Sequence, residues 1–92
     1  MRVLVTGGSG VLGRATIPLL FHGGHQVIAP GRSECDLFDP DAVRRAVSGV
    51  DAVMHLATRI PPPKLRGTRE AWTENDRLRT AASRLLRAAS GI

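Results

Sequence analysis

The chain has no tyrosine, one cysteine, one lysine, one tryptophan and two phenylalanines. The lone cysteine, Cys35, excludes an internal disulfide, fits a reducing compartment and reads as a packed or loop residue. No run of about 18 apolar residues is present, which excludes a membrane-spanning helix. The apolar start, Met1 to Val5, is too short for a signal-peptide core. A cytoplasmic location is therefore expected. No metal-ligand cluster, no Ser-His-Asp arrangement and no paired carboxylates can be picked out, so neither a catalytic nor a metal-ligating residue is assigned. Aromatic residues hardly interleave with the basic ones, so stacking on single-stranded nucleic acid is poorly supported.

What is present is arginine. The net charge is +5, and twelve of the thirteen cations are Arg. Residues 64–92 carry seven cations against three acids, whereas residues 1–63 carry six against five. Such a bias can mark an acidic or nucleic-acid partner. A solvated helix face is the simpler reading, and a nucleic-acid partner is not expected. Hydrophobic residues make up 42% of the 92, as in a globular domain of small size and thin stability margin.

Apolar runs and helical spacing alternate along the chain. Val3-Leu4-Val5 reads as a buried parallel strand running into Thr6-Gly7-Gly8-Ser9-Gly10. Residues 11–22 switch to helical spacing, with Leu12, Ala15, Thr16 and Leu19 as the apolar stripe, Pro18 as a weak point and Gly23-Gly24 as the stop. Residues 26–29 form a second strand, ended by Pro30-Gly31. Asp39 suits an N-cap and Pro40 the first position of a second helix, whose buried face is Ala42, Val43, Ala46 and Val47 and whose end is Gly49. Residues 52–57 form a third strand, and residues 58–67, with Pro61-Pro62-Pro63, a loop. The last element is a long helix over residues 68–90, with Trp72, Asn75, Leu78, Ala82, Leu85 and Ala89 on one face and Gly91 as the stop.

This order, βαβαβα, predicts an α/β fold: the first half of a Rossmann-type parallel sheet, with helices on both faces and right-handed crossovers, in one domain spanning residues 1–92. The usual strand order, 3-2-1-4-5-6, puts the first strand at the centre. With three strands only, that strand is expected to be an open apolar edge, and the chain to self-associate through residues 2–6.

Gly7-x-x-Gly10-x-x-Gly13, between a strand and a helix, is a dinucleotide-binding loop. Gly7 permits the tight turn, Gly10 the close approach of backbone to pyrophosphate, and Gly13 the close packing of helix on strand. The helix N-terminus directs N–H groups and partial positive charge at the phosphates. Ser9 suits a phosphate hydrogen bond. At the end of the second strand, Ala29-Pro30-Gly31-Arg32-Ser33 offers no acid for the 2′-hydroxyl of NAD. Arg32, with Arg14 as a second candidate, suits the 2′-phosphate of NADP. NADP is favoured over NAD.

Thr6-Gly7-Gly8-Ser9-Gly10-Val11-Leu12-Gly13 resembles the T-G-x-x-G-x-x-G loop of short-chain dehydrogenase/reductases, especially the extended branch of NAD(P)-dependent epimerases, dehydratases and reductases. The resemblance implies that Asp36 and Leu37 contact the adenine. It also implies that His55-Leu56-Ala57, similar to the H-L-A segment ending a strand, lines the ribose. Asn75 with Leu85-Leu86 and Ala88-Ala89 resembles the family's helix, which carries an Asn near its start and an L-L-x-A-A segment later, but the spacing between them and the residues Asp76 and Arg79 depart from the family's pattern. Asp36 equally suits a turn, and His55 and Asn75 equally suit structural roles. The cofactor set is thus Gly7, Gly10, Val11, Leu12, Gly13, Arg32, Asp36, Leu37, Leu56 and Ala57. The family's catalytic Tyr-x-x-x-Lys pair has no counterpart, since tyrosine is absent and the one lysine, Lys64, follows the prolines. The chain is therefore expected to be an N-terminal piece that binds cofactor and catalyses nothing alone. A non-catalytic NAD(P) sensor and an Arg-rich interaction protein are the alternatives.

Overall fold

The computed structural model describes residues 1–90. Three strands, β1 (Arg2–Thr6), β2 (Gln26–Ile28) and β3 (Ala52–His55), form one parallel sheet in the order β2-β1-β3. Val3 pairs with Val27 on one side and Ala52 on the other. The strand expected to lie open at an edge is therefore the central one. β3 crosses over β1 instead of extending the sheet beyond β2, so Val3, Leu4, Val5 and Thr6 are buried and already paired on both sides. Self-association through residues 2–6 has no free edge to use.

Helix α1 (Val11–His22) links β1 to β2, and α2 (Pro40–Val47) links β2 to β3. The two crossovers run in opposite directions across the sheet. With the same right-handed sense, they place the two helices on opposite faces. Asp39 caps α2 as expected, accepting the Asp41 N–H at 3.0 Å. Ala42, Val43 and Val47 are buried beneath it. On that face Leu4, Val43, Val47 and Leu86 make the core cluster, with Ile28, Leu37, Val50 and Val53 packed around it.

The apolar stripe expected on α1 is displaced by one position. Leu12 and Leu19 are 61% and 72% exposed, whereas Gly13 is buried and Thr16, Ile17 and Leu20 are half-buried. The helix is apolar nearly all round, so hydrophobic spacing alone cannot select the face. What selects it is the approach of Gly13 to the glycine loop. α1 continues through Pro18 and stops at Gly23, with Gly24 at φ +84°.

The long last helix is segmented. A 3₁₀ turn (Glu70–Trp72) leads into α3 (Thr73–Arg77), a π-helical turn (Leu78–Ala82) and α4 (Ser83–Ser90). Past the π turn Leu86 is the buried residue, with the expected Leu85 and Ala89 half-buried against the core cluster, while Asn75, Leu78 and Ala82 are buried as expected. Gly91, the expected stop, lies outside the described residues.

Candidate functional site

The carboxyl ends of the three strands open onto a cleft of about 600 Å³. Its wall runs from Thr6 to Gly10, then Ala29 to Arg32 after β2, Cys35 to Phe38, Leu56 to Arg59 after β3, and Glu74 and Leu78 from the last helix. Of the expected cofactor residues, Gly7, Gly10, Arg32, Asp36, Leu37, Leu56 and Ala57 are brought together there. Arg14, like Val11 and Leu12, does not line it, and Val11 and Leu12 send exposed side chains away. These two can offer only backbone N–H groups.

The loop fits a phosphate group. Gly7 has φ +71°, and a Cβ there would lie 2.6 Å from the Ala57 backbone. A Cβ on Gly13 would lie 2.6 Å from Gly8 Cα. Gly13 therefore lets α1 pack closely on the glycine loop that leaves the end of β1. Gly10 is the N-cap of α1 and brings no side-chain cap, and no acid occupies the first turn. The first N–H groups of a helix have no intrahelical partner, and the helix dipole adds partial positive charge to them. An anion is the natural occupant of this position.

His55 itself does not line the cleft. Its Nε2 lies 2.8 Å from the Leu78 carbonyl oxygen, and its Nδ1 lies 2.6 Å from Thr6 Oγ1. The carbonyl can only accept, so Nε2 donates to it, and in the neutral ring Nδ1 then accepts from the Thr6 hydroxyl. Thr6 Oγ1 in turn accepts from the Ala57 N–H at 3.3 Å. This chain of bonds ties the ends of β1 and β3 to the π turn, leaving His55 a structural residue whose neighbours Leu56 and Ala57 face the cleft. Asn75, buried, accepts the Arg59 N–H at 2.9 Å and so fastens the loop after β3. Asp36 accepts the Phe38 N–H at 2.9 Å, making the turn that sends Leu37 inward.

Cys35 is buried beside this turn, with its Sγ 3.8 Å from the Ala42 carbonyl oxygen. Burial, assisted by the charge of Asp36, pushes its thiol above the ordinary 9.0. It is packed, as its sequence context suggests.

Two contacts join the loop after β2 to α3 at the mouth of the cleft. Arg32 donates to Glu74 at 2.8 Å, and Arg77 lies 4.2 Å over the Phe38 ring. Arg59 reaches the other oxygen of Glu74 at 3.5 Å. The sequence reading missed Glu74, Arg59 and Phe38. Arg32 and Glu74 are separated by 42 residues, and no local pattern signals their meeting.

A parallel sheet, a glycine turn at its carboxyl edge and an uncapped helix N-terminus define a dinucleotide-binding fold of the Rossmann type. The family model for NAD dependent epimerase/dehydratase matches residues 3–90, and the chain belongs to that family. A 2-alkyl-3-oxoalkanoate reductase of Stenotrophomonas maltophilia is 47% identical over 60% of this chain and 21% of its own length. A dTDP-4-dehydrorhamnose reductase of Mycolicibacterium smegmatis is 41% identical over 61% of this chain and 17% of its own. The chain thus spans about a fifth of the length of these relatives. Among solved structures, a short-chain dehydrogenase/reductase of Brucella ovis superimposes with a TM-score of 0.70, covering 98% of this chain and 54% of that one at 20% identity, a likeness of fold. A short-chain dehydrogenase/reductase superfamily protein of Agrobacterium tumefaciens with bound NAD gives 0.62 at 28% identity, covering 98% and 30%. Family membership and the NAD-bound neighbour support NAD(P) binding. No helix among the described residues is long and apolar enough to cross a membrane.

Proposed function

We propose that the chain is the dinucleotide-binding part of an NAD(P)-dependent reductase, with NADP favoured over NAD. The observation that carries this reading is the glycine-walled cleft at the uncapped N-terminus of α1. The cofactor would supply hydride to a carbonyl, in keeping with two relatives that are both named reductases. Gly7, Gly10 and Gly13, with the N–H groups of Val11 and Leu12, would hold the pyrophosphate. Asp36 and Leu37 would border the adenine, Leu56 and Ala57 the ribose, and Arg32 the 2′-phosphate. No tyrosine is available within these 92 residues. The proton-transfer and substrate-binding groups would therefore come from elsewhere in the complete enzyme.

Fluorescence titration with NADPH and NADH tests the reading. Arg32→Glu should weaken NADPH binding at least about tenfold, the worth of a charge-assisted hydrogen bond, while leaving NADH within about threefold. Equal losses for both nucleotides would remove Arg32 from the 2′ position. Binding of neither nucleotide by the wild type would remove the function.

A further inference from the structure

Arg32 is not alone. Its Nη2 donates to Glu74 Oε1 at 2.8 Å, and the second oxygen of that carboxylate faces Arg59 Nε at 3.5 Å. All three side chains line the cleft, and each is partly exposed: 66% for Arg32, 59% for Arg59 and 43% for Glu74. Glu74 stands on α3, directly before buried Asn75, whose bond to the Arg59 N–H fixes the loop opposite. The carboxylate is thereby held over the guanidinium from the far wall. The strand end that supplies no acid of its own has one delivered to it from another element.

We propose that Glu74 is a specificity-determining residue for the 2′ position of the adenosine ribose, its carboxylate occupying Arg32 across the cleft and narrowing the preference for NADP over NAD. This inference rests on the reading of Arg32 given above. A 2′-phosphate and the Glu74 carboxylate are both acceptors for the same planar fork, and Arg offers no more than five N–H donors in fixed directions. A phosphate binding there must displace the carboxylate or sit beside it, and two anions at contact distance repel. A 2′-hydroxyl meets neither obstacle. It carries no charge, and a carboxylate is an acceptor for it. Glu74 therefore acts against NADP and not against NAD. Because the ion pair is partly exposed, its effect is modest and screened by salt.

The test is titration of the wild type, E74Q, R32Q and the R32Q/E74Q double variant with NADPH and NADH at one low ionic strength. Glutamine keeps the volume and helix propensity of the glutamate, so the fold is retained. Loss of the competing ion pair and of the adjacent negative charge should raise the ratio of NADPH to NADH affinity about five- to tenfold in E74Q. With Arg32 already replaced, E74Q should raise the ratio by clearly less than it does in the wild type, because the competition for the guanidinium is gone and only the direct repulsion between carboxylate and phosphate is relieved. A ratio unchanged or lowered in E74Q overturns the inference, as does an equal rise in the R32Q background. A purely structural Glu74 would shift the thermal midpoint and leave the ratio alone. Wild type that binds both nucleotides with a ratio indifferent to E74Q leaves the proposed function standing and removes only Glu74. Wild type that binds neither removes both.

Discussion

Gly13 shows how little space separates α1 from the loop that precedes it. A methyl group there would intrude on the Gly8 backbone, which cannot swing aside like a flexible side chain. Gly13→Ala should cost about 1–3 kcal/mol, as overpacking does, and loosen the loop that faces the cleft. Urea denaturation reads the first effect and NADPH titration the second. Thr6 is a second tight point. Thr6→Val keeps the shape but leaves the part-buried His55 Nδ1 and Ala57 N–H without their partner, a loss of about 1 kcal/mol for each bond. Among the described residues, Cys35 carries a pH dependence with a clear sign. Its thiol is raised by burial, so the folded state disfavours the thiolate that the unfolded chain forms above 9.0. The corresponding stability is complete below that pH and is lost as pH rises through it toward the folded value. The urea midpoint of the wild type should fall relative to Cys35→Ala between about pH 8 and pH 10. A constant difference would show that Cys35 does not titrate differently in the two states.

At the scale of elements, α2 has the most complete local specification. Asp39 caps it, Pro40 begins it, and Gly49 at φ +76° turns the chain away. Asp39→Ala should cost about 1 kcal/mol by thermal melting, with no change in cofactor preference. These signals are visible in the sequence because they act within one or two residues. The same is true of the strand–glycine loop–helix unit, of Gly23-Gly24 and of the break at the prolines. The α1 face was illegible for a different reason. Val11, Leu12, Ile17, Leu19, Leu20 and Phe21 surround the helix, and tertiary contact decides which of them are covered. The π turn over Leu78–Ala82 was illegible too; Leu78, at its start, offers its carbonyl oxygen to His55 across 23 residues, a contact that no local pattern signals.

For the whole molecule, the class of fold and most of the cleft wall could be read in advance, but the strand order could not. The position of β3 follows from where α2 and α4 bury their apolar faces, and that is a property of the assembled chain. The rim of the cleft was hidden for the same reason, because Glu74 and Arg77 reach Arg32 and Phe38 only after folding. The core itself is small. Leu4, 1% exposed, touches the cluster that holds α2 and α4 on the sheet. Leu4→Ala should cost about 2–5 kcal/mol, against a total of about 5–14 kcal/mol for a domain of this size. The variant should lose much of its cooperative urea transition.

That cluster also joins the two ends of the chain. Leu4 comes from the first strand, Val43 and Val47 from the middle, and Leu86 from the last helix. During synthesis the first strand must wait until almost ninety residues have left the ribosome before its inner face is covered. The nascent chain passes most of its elongation with the α2/α4 face of Leu4 incompletely covered, and that face closes only when Leu86 of α4 arrives.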